Sequence, residues 1–240
     1  MDDTINTLRW LPEQGAPQQL FLLFHGVGAN AADLAPLAEQ LHQAFPQSAV
    51  LAFDGFEPFD GIPGGGAGRQ WFSILGANDG NRAQRVAAVI PALSDLVRAA
   101  QQATGVDPQA TALVGFSQGA ICALELAQAH DGLVGRVLAF AGRYATLPTL
   151  APRMTTLHFF HGADDAVIPV QHARQAIERL AAIGGDATID IASGIGHEID
   201  THLLRSALLR LSRHIPARTW AQAMGAAPGQ GGADDDERED

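Results

Sequence analysis

The sequence predicts an α/β fold, a mostly parallel sheet with helices packed on both faces. Three observations predict it. Short uninterrupted apolar runs recur along the chain, among them QLFLLF at 19–24, AVLAF at 49–53, TALVGF at 111–116 and RVLAF at 136–140. Strands buried on both faces read this way, whereas one-sided strands alternate apolar with polar residues. Helical patterns separate the runs, and strand–helix alternation marks parallel crossovers. Finally, the chain has 240 residues, 47% of them apolar, enough for one large domain with its own core.

The elements follow in order. After the run at 19–24, a helix is expected over about 31–43, where Leu34, Leu37, Leu41 and Phe45 fall near helical spacing. The strand at 49–53 leads into a Gly/Pro-rich stretch, 54–80, with the composition of a loop. A long helix is expected over roughly 81–103 on Val86, Val89, Ile90, Leu93 and Leu96, and Pro91 inside it predicts a kink or a break. TALVGF runs into a helix after Ser117, whose buried residues would be Ala120, Cys122, Ala123, Leu124 and Leu126. Strands at 136–140, 155–161 (TTLHFFH) and 187–192 (ATIDIA), with helices at 170–183 and 198–213, complete the series. The domain is expected to span 1–222. The stretch from Gly225, GAAPGQGGADDDERED, is Gly-rich and then acidic, so 225–240 is expected to be a disordered tail.

Charge narrows the partners. The formal net charge is −11, and residues 234–240 alone carry −5 of it. The mildly acidic body has no Lys/Arg run, which argues against nucleic acid or an anionic membrane as the main partner. Cys122 is the sole cysteine, so neither an intrachain disulfide nor a Cys₄ metal site can form. The stretch MDDTINTLRWLPEQG has acids where a signal peptide needs bases. No apolar run approaches transmembrane length. A cytoplasmic protein without membrane insertion is the expectation, and the sequence carries no evidence on oligomeric state.

Two glycine motifs compete for the function. In LFHGVGANAADLA, Gly26, Gly28 and Ala31 fit G-x-G-x-x-G/A between a strand and a helix, and Asp54 ends the next strand. That spacing suits an NAD(P)-type oxidoreductase. The same turn also suits a loop that aims a backbone N–H into a pocket, with His25 and the glycines allowing close approach. The second motif, Gly-Phe-Ser-Gln-Gly around Ser117, matches G-x-S-x-G between a strand and an apolar helix. A nucleophile on such a sharp turn sits in strained backbone, and small residues two positions to either side relieve the crowding. A plain serine N-cap is the alternative.

A serine hydroxyl needs a base, and the base needs an acid. In this architecture the chain order is Ser, then Asp or Glu, then His, each on a loop after a strand. HFFHGADDAVIP places Asp164 and Asp165 just past one strand, and IASGIGHEID places His197 just past the next. HEIDTH looks like a zinc helix, but its histidines are five apart where the motif needs four. The Gly64–Gly68 cluster lacks the Gly-Lys-Ser/Thr of a phosphate loop.

Taken together, LLFHGVG, GRQWFS, GFSQGAI, FAGRYA, HGADDAVIP and GHEID resemble the carboxylesterase/phospholipase family of α/β-hydrolase folds. That family includes the acyl-protein thioesterases and, most similar in these motifs, the bacterial YpfH-type esterases. The likeness runs to about residue 222. It implies Ser117 as nucleophile, His197 as base and Asp165 as acid, which leaves Asp164 a turn residue. It implies oxyanion donors at the backbone N–H groups of Val27 and Gln118. Trp71 and Phe72 match residues near the acyl pocket in relatives, with core packing as their alternative. Arg143 departs from the eukaryotic thioesterases and would meet an anionic substrate group or serve as an ion-pair partner.

The expected activity is hydrolysis of small-molecule carboxylic esters, or thioesters, with no metal and no cofactor. The segment 141–154 is too short for a lid domain, so the site should be open, which favours short- to medium-chain acyl groups over insoluble lipid. A non-catalytic binding module on the same fold is the remaining rival, although such modules usually lose a catalytic residue. Cys122, five positions past Ser117, reads as core.

Overall fold

The computed structural model describes residues 5–61, 66–78 and 80–225. The strands are β1 (Thr7–Trp10), β2 (Gln19–Phe24), β3 (Ser48–Phe53), β4 (Glu57–Pro58), β5 (Arg69–Gln70), β6 (Thr111–Phe116), β7 (Arg136–Phe140), β8 (Thr156–Gly162) and β9 (Ala187–Ala192). The helices are α1 (Ala35–Ala44), α2 (Arg82–Thr104), α3 (Gln118–Ala129), α4 (Gln171–Ala182), α5 (Thr201–Arg213) and α6 (Ala217–Ala223).

Seven strands form one sheet in the order β1-β3-β2-β6-β7-β8-β9. Only β1 runs antiparallel; the other neighbours pair in parallel. Alternation along β2 splits the core into two layers. Leu20, Leu22 and Phe24 face α2, α3 and α4 through Leu93, Val97, Leu124 and Leu180. Phe21 and Leu23 face α1 and α5 through Leu37, Leu41, Leu203 and Ala207. Each uninterrupted apolar run therefore feeds two cores at once, as a sheet covered on both sides requires. This is an α/β-hydrolase fold. The described segment after β7, up to β8, contains no helix or strand, and no lid domain is present among the described residues.

The chain winds outward from the middle of the sheet. It leaves β2 toward β3 on one side, then returns through β6 and proceeds to β9 on the other. The reversal between β2 and β6 opens a crevice beyond their carboxyl ends, where open α/β sheets bind ligands.

Four local features differ from the sequence expectation. The long helix α2 is continuous across Pro91. Both Pro91 and Ala87, the residue whose carbonyl loses its partner, are exposed, so water can take over the missing bond and no break results. The 54–80 stretch is not all loop: β4 and β5 form a small antiparallel ladder. The edge strand β1 and the terminal helix α6 carry weak sequence signals, one short and half-buried, the other without a single buried residue. The expected tail lies outside the described residues except Gly225. No helix among the described residues is long and apolar enough to cross a membrane.

Candidate active site

β6 ends on Phe116, and α3 begins at Gln118. Ser117 between them has φ 53° and ψ −114°, a conformation that costs a non-glycine residue roughly 1–3 kcal/mol. Its neighbours hold it there: its N–H donates to the Phe140 carbonyl at 2.9 Å, and its carbonyl accepts from Ile121 N–H at 3.1 Å. The flanking glycines have steric causes. A Cβ on Gly115 would strike the backbone of Gly119 and Ala120, and one on Gly119 would strike the Phe24 carbonyl. The motif spacing is thus the clearance needed to fold a strand back into a helix against β2.

His197 follows β9 and Asp165 follows β8. His197 Nε2 lies 2.9 Å from Ser117 Oγ, and Nδ1 lies 2.8 Å from Asp165 Oδ2. Asp165 is ionised in this arrangement, so Nδ1–H donates to it and Nε2 accepts from the serine hydroxyl. Burial alone would raise the Asp165 pKa, but hydrogen bonds from His197, Ile168 N–H and Val167 N–H outweigh it and hold the carboxyl below its usual range. The neighbouring Asp164 is exposed and donates its own N–H to the Ile195 carbonyl. Of the two acids open on the sequence, only Asp165 reaches the histidine.

Two supporting side chains were not assigned from the sequence. His161 is fully enclosed, with Nε2 2.7 Å from the Ile168 carbonyl and 3.3 Å from Asp165 Oδ2. A carbonyl only accepts, so Nε2 carries the proton and leans on both oxygens. Burial lowers the His161 pKa and keeps the ring neutral. Gln118 presents its side chain to the other wall: Oε1 accepts from Trp71 N–H at 2.8 Å and Nε2 donates to the Phe72 carbonyl at 2.7 Å. The middle positions of both motifs can be read for spacing but not for these partners, which come from segments 46 and 47 residues away.

The turn after β2 lies beside Ser117, because Phe24 pairs with Gly115. Most of its amides are occupied. Gly28 N–H donates to Arg69 O, Ala29 N–H to Gly26 O, and Ala31 N–H to Asp54 Oδ1. Val27 N–H has no acceptor among the described residues. Gln118 N–H, the first amide of α3, lies beyond reach of an intrahelical carbonyl. His25 staples the turn: Nδ1–H donates to Gly26 O at 2.6 Å, and Nε2 accepts from Gly55 N–H at 2.8 Å. The dinucleotide reading fails here. The Gly28, Ala29 and Ala31 amides, which lead into the helix where a pyrophosphate would sit, are bonded within the protein, and Asp54 is spent on Ala31 and Asn6.

A cleft of about 260 Å³ opens beside Ser117, lined by Val27, Phe72, Ile121, Arg143 and Ile168 among others. Trp71 is a correction: it does not line the cleft and has no exposed surface. Its indole N–H donates to the His25 carbonyl at 2.9 Å, and its ring packs on Phe24 and Phe56. The bulk of an indole next to a turn makes it ballast for the turn rather than a substrate contact. Phe72 does reach the cleft. Arg143 also reaches it, with Nη1 3.0 Å from His172 Nε2. Burial pushes the Cys122 thiol pKa up, in keeping with a core role. Among the described residues, no group of three or more His, Cys, Asp or Glu side chains is placed to hold a metal ion.

Comparison with known proteins identifies the family. Residues 11–215 match the family model described as Phospholipase/Carboxylesterase. The chain is 45% identical to Esterase YpfH of Escherichia coli (strain K12) over 213 residues, covering 88% of this chain and 90% of that protein. The crystal structure of esterase PE8 superposes with a TM-score of 0.79 at 26% identity, covering 88% of this chain and 99% of that one. A Bacillus cereus carboxylesterase superposes with a TM-score of 0.74 at 16% identity, covering 89% of this chain and 96% of that one, which bears on the fold alone. A strained serine at the carboxyl end of β6, hydrogen-bonded to a histidine beyond β9, thus sits in a chain that belongs to the phospholipase/carboxylesterase family, a hydrolase of the esterase type.

Proposed function

We propose that this protein is a serine hydrolase that cleaves carboxylic esters, thioesters included, of short- to medium-chain acyl groups through an acyl-enzyme on Ser117. One observation carries the reading: the continuous hydrogen-bonded chain from Ser117 Oγ through His197 to Asp165 beside an open cleft.

The steps follow from the proton positions. Ser117 Oγ attacks the ester carbonyl while Nε2 of His197 takes the hydroxyl proton. The imidazolium is stabilised by Asp165, which is already ionised and stays so. The N–H groups of Val27 and Gln118 receive the oxyanion, each contributing about 3–4 kcal/mol of transition-state stabilisation. His197 returns the proton to the leaving alcohol or thiol as the tetrahedral intermediate collapses. Water, deprotonated by His197, then attacks the acyl-serine, and Ser117 leaves with the proton back on its oxygen. The His161 bond to Asp165 and the Gln118 clamp on residues 71–72 act by positioning.

The cleft volume supports small acyl groups: about 260 Å³ falls just below the roughly 300–1,000 Å³ of most ligand pockets. The test is labelling with a fluorophosphonate probe and mapping of the labelled peptide, alongside hydrolysis of p-nitrophenyl acetate, butyrate and octanoate. Labelling at Ser117 with loss of both signals in Ser117→Ala is expected, with octanoate the poorest substrate. A folded protein that neither labels nor turns over any of the three would overturn the reading.

A further inference from the structure

In Gly-Phe-Ser-Gln-Gly, Ser117 and Gln118 have tasks in the mechanism above and the sharp turn accounts for both glycines, but Phe116 has been given none. It is the last residue of β6 and is half-buried. Ala112, Val114 and Phe116 alternate onto the sheet face that α1 and α5 cover, and Phe116 packs against the buried layer there. It pairs with Phe140 of β7. Its ring therefore stands at the carboxyl rim of the sheet, where the site is built.

Two contacts make this ring more than the end of a core layer. The Phe116 and His197 rings lie with centroids 5.0 Å apart and planes tilted by 43°, inside the roughly 4.5–7 Å range of attractive aromatic pairs. The same ring fills the space beside Gly26: a Cβ there would stand 3.0 Å from Phe116 Cδ1 and 3.2 Å from Cε1. Gly26 precedes Val27, whose N–H is a proposed oxyanion donor. One side chain thus touches His197 and the turn before Val27, and its backbone runs directly into Ser117. His197 needs such a contact. The loop that carries it past the edge strand β9 brings little bulk of its own, with Gly194 (φ 76°) and Gly196 just before the ring. Ile195 and Ile199 pack on the same layer as Phe116 and hold the loop, but not the imidazole. The bonds to Asp165 and Ser117 run through the two ring nitrogens. By themselves they do not fix the tilt of the ring about the line joining those atoms, whereas a flat ring packed against the imidazole does.

We propose that Phe116 is a positioning residue for hydrolysis: its ring sets the tilt of the His197 imidazole and the spacing between that base and the Gly26–Val27 turn. This rests on the esterase reading above and adds a residue to it. Phe116 makes no bond to substrate and moves no proton. It keeps Nε2 on the Ser117 hydroxyl during attack, and it couples turn to base, so that a displacement of one is felt at the other.

The test changes the ring and reads the base directly. Phe116→Leu keeps an apolar side chain but loses the flat face, and Phe116→Tyr keeps the face. With p-nitrophenyl butyrate, Phe116→Leu should lower kcat about tenfold, the upper end of what an aromatic pair contributes. KM should change little, because Phe116 does not line the cleft. Phe116→Tyr should recover most of the loss. Proton NMR should show the downfield Nδ1–H of His197, bonded to Asp165, shifted or broadened in Phe116→Leu and restored in Phe116→Tyr. A residue that only fills the core would lower the melting temperature without moving that line. If Phe116→Leu fails to fold, Gly26→Ala decides. Its Cβ presses on the Phe116 ring and stands 3.3 Å from Ser117 Cβ, so NOEs between the Phe116 and His197 rings should weaken together with kcat. Unchanged kcat in folded Phe116→Leu, a lower kcat with an unmoved proton line, or a lower kcat in Gly26→Ala with unchanged inter-ring NOEs overturns the positioning role and leaves the esterase standing. Wild-type protein that neither hydrolyses the ester nor labels with fluorophosphonate would overturn both.

Discussion

Gln118 offers a way to separate a side chain from the amide of the same residue. Its backbone N–H is a proposed oxyanion donor, while its buried side chain clamps Trp71 N–H at 2.8 Å and Phe72 O at 2.7 Å. Gln118→Ala keeps the donor and removes the clamp. Two buried backbone groups then lose their partners, at roughly 1–3 kcal/mol each. The expected loss of stability is therefore about 2–6 kcal/mol, nearer the low end if water enters the space. Urea unfolding measures it, with an unchanged m-value showing that the midpoint shift is a stability change. In the folded variant the 71–72 segment is freed beside the cleft, so KM should rise severalfold while kcat falls by less than the 100–1,000-fold typical of a lost oxyanion donor. Gln118→Glu is the sharper companion, since it retains an acceptor for Trp71 and opposes the Phe72 carbonyl with a second oxygen. A midpoint unchanged within about 0.5 kcal/mol in Gln118→Ala would show that the clamp carries no weight. A fall in kcat of the oxyanion-donor size with unchanged KM would show that the side chain acts on the transition state.

Three further predictions concern stability and pH. His158 is pushed down to about 3 by burial, with Arg136 and His214 adding to the effect, whereas an unfolded chain has it near 6.5. The unfolded state alone gains this proton as pH falls from 6.5 toward 3, so wild type should lose about 2 kcal/mol between pH 7 and 5 relative to His158→Gln; parallel curves from chemical denaturation would refute it. Ser117→Gly should abolish turnover yet raise stability by about 1 kcal/mol, because glycine adopts the strained φ of 53° freely; a fall in melting temperature would argue against stored strain. His161→Phe removes a hydrogen bond to the Asp165 carboxylate, so the acid limb of the kcat/KM profile should move to higher pH. A loss of stability without that movement would make His161 a packing residue only.

The central strands and the three side chains that meet at Ser117 were legible in the sequence for physical reasons. β2, β6 and β8 are buried on both faces, and only continuous apolar runs satisfy that. Ser117 announces itself because the sharp turn excludes side chains at Gly115 and Gly119. Asp165 and His197 follow because each sits on the first loop after a strand. What was hidden depends on tertiary partners. Two-residue strands such as β4 and β5 have no periodicity to read. Pro91 breaks a helix only where the orphaned carbonyl cannot reach water. The bonds from His161 to Asp165 and from Gln118 to residues 71–72 are chosen by geometry, and many other polar side chains would look the same on the page. Trp71 shows the limit from the other side: a motif places an aromatic residue near the pocket without saying on which side of the wall it stands.

The proposed base stands at the edge of the sheet. His197 follows β9, which closes the sheet and pairs on one side only, and five of the six residues of β9 are only partly buried. Ser117, by contrast, rises from β6 in the middle of the sheet. A transient opening that peels β9 from β8 would leave nearly all of both core layers intact and yet separate Ser117 from His197. Heat should then silence the enzyme reversibly some degrees before the cooperative melt.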